Sequence, residues 1–448
     1  MNDTQTKSAY GLGRAARLNL VWEMLNEMGE TGRNMDAILA SRFKHLQNSL
    51  ERRDRRDLEN RTRSVLLNYR KLLWWLKRIK LQPTMRTLLL ADMILSEKSD
   101  IPQLEKLCNG AHNRMDMLTK EEIAGLKRLL GQDMIHDEMN EGVKADCPAW
   151  AEKGLKEIFG DDFAVELRAL GDKPTTDYRV NTLKATREQV KDSLAKQGFK
   201  TVETTLSPVG LRQIDAGGPL LSETEAFRQG WIEVQDEGSQ LLAHLVGAKK
   251  GMQVVDFCAG AGGKTLAIAA LMENGGHLVA CDVHSKRLQR AKVRLKRAGV
   301  VNAERRQLEQ TFDKWVKKSR GKFDRVLIDA PCSGTGTWRR NPDSKWSKDE
   351  NDLGELVKLQ SEILESATRL TKSGGRVIYA TCSLLPEENE HQIEKFLQTN
   401  DTFKLMPAKD VWAELELGDY PSKIEDYLRL SPAQNNCDGF FACVLEKL

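Results

Sequence analysis

The sequence predicts an α/β protein: a C-terminal parallel sheet covered on both faces, preceded by a small α+β module and an all-α N-terminal domain. Three observations carry this reading. From residue 14 to about 145, apolar residues recur at spacings of three and four, the period of helices with one buried face. Between Thr176 and about Trp231 the period switches from 2 to 3.6 and back, as short strands around a helix require. From Gly238 on, short apolar runs alternate with helical ones, the pattern of strands joined by crossover helices. The domains so read are 1–145, 146–235 and 236–448. At roughly 100–200 residues per domain, three domains each keep an ample core.

The N-terminal helices show in Leu18, Val21, Trp22 and Leu25, and again in Val65, Leu66, Tyr69, Leu72, Leu73 and Leu76. Pro83 and Pro102 fall where helices start or turn. Trp74 and Trp75 offer faces for base stacking, but at this spacing at least one belongs to the core. A new start is read at Asp146-Cys147-Pro148-Ala149-Trp150. In the α+β module, Tyr178–Asn181 reads as a strand and Thr186–Gly198 as a helix ending at glycine, followed by β-prone runs at Lys200–Thr205 and Leu211–Ile214. The expected strands of the last domain are Gln253–Phe257, His277–Asp282, Arg325–Asp329, Arg376–Ala380 and Phe440–Leu445. Between them lie helical runs such as Thr265–Met272, Ser285–Ala298 and Leu353–Leu370.

Composition narrows the function. A chain 40% hydrophobic and 30% charged is not disordered. No apolar run reaches the ~18 residues of a membrane helix, and the polar start Met1-Asn2-Asp3-Thr4-Gln5 lacks the apolar core of an export signal; a cytoplasmic protein is expected. The eight cysteines lie far apart, with no C-x-x-C pair. No metal is therefore expected, and the thiols should be reduced, either buried or catalytic. The net charge of +4 declares no partner. Its distribution does: Arg42 to Lys80 holds 13 basic and 4 acidic residues, a local +9, and Lys286 to Arg325 holds 15 and 4, a local +11. Such stretches displace counterions from phosphates, so a nucleic acid is the expected partner.

The run Val254-Val255-Asp256-Phe257-Cys258-Ala259-Gly260-Ala261-Gly262-Gly263-Lys264-Thr265 reads as strand, glycine-rich turn and helix. Such a turn lets backbone approach a ligand and aims the N–H groups of the helix start at it. Asp282 ends the next strand, where a doubly wound fold places a carboxylate for ribose hydroxyls. Gly263-Lys264-Thr265 does not complete a phosphate loop, because position 258 is Cys rather than Gly. A nucleotide-like, phosphate-poor ligand such as S-adenosylmethionine fits better than ATP. Two further thiols sit just beyond apolar strands, in Asp329-Ala330-Pro331-Cys332-Ser333-Gly334-Thr335-Gly336 and in Tyr379-Ala380-Thr381-Cys382-Ser383. That is the ligand side of an open α/β sheet, and a thiolate there could add to an electron-poor ring carbon.

At these residues the chain resembles the Sun-type RNA (cytosine-5) methyltransferases, over roughly residues 145–448. The likeness rests on Asp256–Thr265, Asp282, Asp329–Gly336, Thr381-Cys382-Ser383 and Asp438-Gly439-Phe440-Phe441, with Arg179-Val180-Asn181 and Val234-Gln235-Asp236-Glu237-Gly238-Ser239 ahead of them. The helical N-terminus, with Arg53-Asp54-Arg55-Arg56 before an amphipathic helix, resembles the NusB-like RNA-binding domain of the ribosomal RNA branch. The resemblance implies a Rossmann-like class I methyltransferase sheet. It implies S-adenosylmethionine as methyl donor, held by Cys258, Ala259, Gly260, Ala261, Gly262, Gly263 and Lys264 with Asp282 and Asp329. Cys382 would be the nucleophile that adds to cytosine C6. Cys332 would assist loss of the C5 proton and release, and Asp329 would hold the base's polar edge.

Two positions depart from the family pattern. Ala261 stands where the family turn usually has Pro, and Gln307 is nearest the place of an Asp that meets the adenine amino group, so Gln307 is expected to accept that hydrogen bond and bind the methyl donor in its stead. Arg339-Arg340-Asn341-Pro342-Asp343 resembles a loop near the active site and is expected at target RNA phosphate. Small-subunit ribosomal RNA is the expected substrate, with transfer RNA as the alternative. A non-catalytic ribosome-assembly factor would not need both Cys332 and Cys382. A DNA cytosine methyltransferase is disfavoured because Thr381, not Pro, precedes the nucleophile.

Overall fold

The computed structural model describes residues 12–46, 50–215 and 220–448. The chain divides into two compact units, Met1–Lys153 with Arg340–Lys348, and Gly154–Arg339 with Asp349–Leu448. Among the described residues no helix is long and apolar enough to cross a membrane.

The first unit is helical, with helices at Arg14–Thr31, Met35–His45, Arg52–Leu67, Tyr69–Arg78, Met85–Leu95, Ile101–Leu107, Lys120–Leu126 and Glu141–Lys144. Local chemistry sets several starts: Asn34, Thr84, Asp100 and Thr119 each accept a backbone N–H of the first turn. Pro83 precedes the Thr84 cap and Pro102 lies in the first turn of its helix. Leu18, Val21, Leu25, Val65, Leu72 and Leu76 meet in one core. Trp75 joins them, its indole N–H donating to the Met134 carbonyl at 3.0 Å. Helix is not continuous to 145, because residues 108–119 and 130–140 are turns and extended chain.

Two expectations about this unit change. Arg42, Arg53, Arg61, Arg70 and Arg78 each pair with a carboxylate, so five of the thirteen basic residues behind the local +9 are partly neutralised, although Arg53 and Arg78 stay exposed. Arg340–Lys348, which the sequence assigns to the last domain, belongs here, as do residues 146–153. Asp343 accepts from the Met35 N–H at 3.2 Å, and Trp346 donates to the Leu66 carbonyl at 2.8 Å. The Trp346 ring lies 4.9 Å from that of Tyr69.

The second unit opens with an antiparallel sheet of β1 (Asp177–Val180), β2 (Thr201–Glu203), β3 (Gly210–Gln213) and β4 (Ile232–Val234), in the order β2-β3-β1-β4. Helix Arg187–Lys196 packs Val190 and Leu194 into its core. The large sheet holds β5 (Gln253–Asp256), β6 (His277–Asp282), β7 (Ala303–Gln307), β8 (Phe323–Asp329), β9 (Thr371–Thr381), β10 (Phe403–Met406), β11 (Leu428–Leu430) and β12 (Phe440–Lys447). Its order is β10-β12-β9-β8-β5-β6-β7, with β11 also on β12. Strands β5 to β9 pair in parallel, whereas β10, β11 and β12 form an antiparallel edge. The sheet is thus a Rossmann-like doubly wound arrangement with an antiparallel edge, and not wholly parallel. Strand β7 escaped the sequence reading because Glu304-Arg305-Arg306 shows no apolar run; it is a half-exposed edge. From β5 the chain winds out to β6 and β7, then returns to β8 on the other side of β5. The crevice beyond the carboxyl ends of β5 and β8 is the topological switch point, where ligands bind in such sheets.

Candidate active site

The glycine-rich turn leaves β5 at that switch point. Gly262 has φ 82° and ends the turn immediately before helix Gly263–Leu271, a backbone shape that L-residues rarely adopt. Asp282 locks the turn: one carboxylate oxygen accepts the Gly260 N–H at 2.9 Å, the other the His284 N–H at 2.7 Å. Arg294 holds the Ala261 carbonyl at 2.8 Å and is itself paired with Glu233. Asp256, at the end of β5, accepts from the Thr265 hydroxyl at 2.6 Å. Its other oxygen is buried without a hydrogen bond, and burial pushes the carboxyl up to about 7.

A cavity of about 580 Å³ opens above the turn. Cys258, Ala259, Gly260, Ala261, Gly263, Lys264, Asp282, Asp329, Cys332 and Cys382 all line it, so the structure brings these predicted residues together. Gly262 shapes the turn without lining the cavity. Gln307 is a correction: it is exposed at the end of β7, outside the cavity lining, and its amide donates to the Val283 carbonyl at 3.4 Å. Beyond β7, Leu308 and Thr311 reach the cavity instead.

The chemistry sits at the other end of the cavity. Lys264 Nζ pairs with Asp329 Oδ2 at 2.7 Å. Burial opposes the ammonium, but Asp329 outweighs it and raises Lys264. Cys332 and Cys382, beyond β8 and β9, stand with their sulfurs 3.4 Å apart. The Cys382 contact and burial together push the Cys332 thiol well above its ordinary value. The two loops also meet through backbone, Gly336 N–H donating to the Cys382 carbonyl at 2.9 Å. Gly439 N–H donates to the Gly336 carbonyl at 2.8 Å, and a Cβ on Gly336 would fall 2.2 Å from the Gly439 oxygen. The Asp438-Gly439-Phe440-Phe441 motif is therefore a fit of backbone on backbone behind the Cys332 loop.

Sequence reasoning missed the layer beneath the thiols. Buried Glu388 accepts from the Ser333 N–H at 2.8 Å, from the Ser333 hydroxyl and from the Gln360 amide at 2.9 Å. Asn389 accepts from the Thr381 hydroxyl at 2.6 Å and donates to the Ser383 carbonyl at 3.0 Å. The available signal was the acidic run Glu387-Glu388-Asn389-Glu390 directly after a buried strand end. Arg339 is a second correction. Expected at RNA phosphate, it is buried between Asp438 and Asp236, the latter 3.3 Å away, and two carboxylates already neutralise it.

Residues 243–446 match the family described as 16S rRNA methyltransferase RsmB/F, and residues 147–217 the ferredoxin-like domain of RsmF/B-like methyltransferases. A probable ribosomal RNA small subunit methyltransferase B from Synechocystis sp. is 32% identical over 79% of this chain and 76% of its own length. The ribosomal RNA small subunit methyltransferase B of Pectobacterium carotovorum is 29% identical over 98% of this chain and its entire length. A solved structure of a methyltransferase homolog protein from Pyrococcus horikoshii is 26% identical, with a TM-score of 0.60 over 70% of this chain and all of that one.

Proposed function

Because this chain belongs to the 16S rRNA methyltransferase RsmB/F family, we propose that it transfers a methyl group from S-adenosylmethionine to C5 of a cytosine in small-subunit ribosomal RNA. The observation that carries the reading is the pair of strand-end thiols 3.4 Å apart on the same cavity as the glycine-rich turn. A NusB-like RNA-binding role for the helical unit, Met1–Lys153 with Arg340–Lys348, goes with it.

The cavity's donor set fits the methyl donor. Asp282 offers a carboxylate for ribose hydroxyls, and a Cβ on Gly260 would meet nothing within 4 Å, so the turn's backbone is open to a ligand. Of the Lys and Arg residues lining the cavity, Lys264 and Arg294 are already paired with Asp329 and Glu233, while Arg287 lies exposed at its edge. The residues that would hold it are Cys258 to Lys264, Asp282 and Asp329. When bound, S-adenosylmethionine supplies an electrophilic methyl group.

The chain's own residues make cytosine C5 a nucleophile. A target base must be flipped out or single-stranded to enter. Cys382 thiolate forms a bond to C6, and the C5=C6 electron pair moves into the ring as Asp329, beside N3 and steadied by Lys264, supports protonation there. C5 then takes the methyl group. Cys332, as its thiolate, takes the C5 proton; the C–H bonding pair re-forms C5=C6 as Cys382 leaves as thiolate, and N3 gives back the proton it gained. Holding base and donor in line lowers the barrier by orientation as well as by charge. Bisulfite sequencing of ribosomal and transfer RNA, with and without the gene, tests the substrate. Loss of a 5-methylcytosine from small-subunit ribosomal RNA is expected; its loss from transfer RNA alone would overturn the reading.

A further inference from the structure

Glu388 and Asn389 are adjacent residues, and each holds one of the two cysteine loops. Asn389 fixes the Cys382 loop through Thr381 and Ser383. Glu388 fixes the Cys332 loop through both the N–H and the hydroxyl of Ser333. The Glu388 carbonyl also accepts from the buried Tyr379 hydroxyl at 2.7 Å. Three hydroxyls join the loops directly: Ser333 to Ser383 at 3.2 Å, and Ser383 to Thr335 at 3.1 Å.

The direction of these hydroxyl bonds follows from counting donors. A carboxylate only accepts, so the Ser333 hydroxyl must spend its one proton on Glu388. Ser333 can then only accept from Ser383, and Ser383 only from Thr335, whose oxygen already accepts the Leu384 N–H at 2.7 Å. The chain runs one way, Thr335 to Ser383 to Ser333 to Glu388, and it ends on a fully buried side chain. Bonds in such a chain reinforce one another in a low dielectric.

Resting on the function proposed above, we infer that Glu388 is a positioning residue: its carboxylate sets the polarity of the hydroxyl chain and so holds Cys332 in register with Cys382 for the release half of the reaction. The same negative charge lies close enough to Cys332 to favour its protonated form, after the Cys382 contact and burial. An amide in its place has the same shape, but it can donate to Ser333 and run the chain backwards.

The experiment compares wild-type protein with Glu388→Gln and Glu388→Asp, by two readouts. Without RNA, alkylation of Cys332 and Cys382 is followed against pH by peptide mass spectrometry. Glu388→Gln should lower the pH midpoint of Cys332 alkylation, and Glu388→Asp should leave it close to wild type. With ribosomal RNA and methyl donor, Glu388→Gln should lower kcat at least tenfold with KM within about twofold. A covalent RNA–protein adduct should accumulate, and Glu388→Asp should partly restore release. Coincident alkylation profiles for Glu388→Gln and wild type would overturn the inference whichever RNA the protein methylates. So would equal loss of melting temperature in both variants without adduct. Wild-type protein inactive on ribosomal RNA, with the alkylation shift present, would count against the substrate reading alone.

Discussion

Cys382 and Cys332 differ in what their removal should do. Cys382→Ala is expected to abolish methyl transfer, since no thiolate then reaches C6. Cys332→Ala should leave the first bond-forming step intact and trap protein on RNA, seen as a slow band on a denaturing gel. A fully active Cys382→Ala protein would overturn both assignments. Asp256 gives a pH prediction. Its folded value, about 7, lies above the ordinary 3.8. The stability it contributes is therefore whole below about pH 4 and is lost as pH rises through 7. At ~1.4 kcal/mol per pH unit the loss is at most roughly 4 kcal/mol. Asp256→Asn keeps the Thr265 bond and removes the charge, so its melting temperature should exceed wild type at pH 8 and converge with it towards pH 4. At this scale the thiols, the turn and Asp282 were legible because strand-end position and residue type mark them. Glu388 and Gln360 were not, because their partners lie 55 and 28 residues away and no local periodicity points across that gap.

Helix Ser285–Ala298 was legible to the residue, since its apolar face recurs at helical spacing and Gly299 closes it in a left-handed turn. Its charge needs dividing. Arg294 and Arg297 are spent on Glu233, whereas Lys286, Arg290, Lys292 and Lys296 are exposed. If those four contact RNA phosphates, replacing all four with Gln should flatten the salt dependence of RNA affinity, lowering the log–log slope by roughly 3 for a single strand. An unchanged slope would place the RNA elsewhere. The strands were less evenly legible. Apolar β5, β6 and β8 stood out, while β7 with its Glu-Arg-Arg and three-residue β11 carry too few apolar residues to signal themselves.

For the whole molecule, the order of domains was readable from periodicity, but the membership of Arg340–Lys348 was not. Its anchors, Met35 and Leu66, lie about three hundred residues earlier in the chain. A fragment beginning at Gly154 keeps this segment and loses those anchors. Amide hydrogens of residues 340–348 should exchange slowly in the full chain and rapidly in the fragment; equal protection in both would mean that the helical unit does not order it. The chain thus passes between its two units three times, after Lys153, after Arg339 and after Lys348. A unit attached by one passage can be grafted, swapped or cut away as a cassette. Three passages make this helical unit a discontinuous domain. No single recombination event or proteolytic nick can free it, and its inheritance is bound to that of the stretch which carries Cys332.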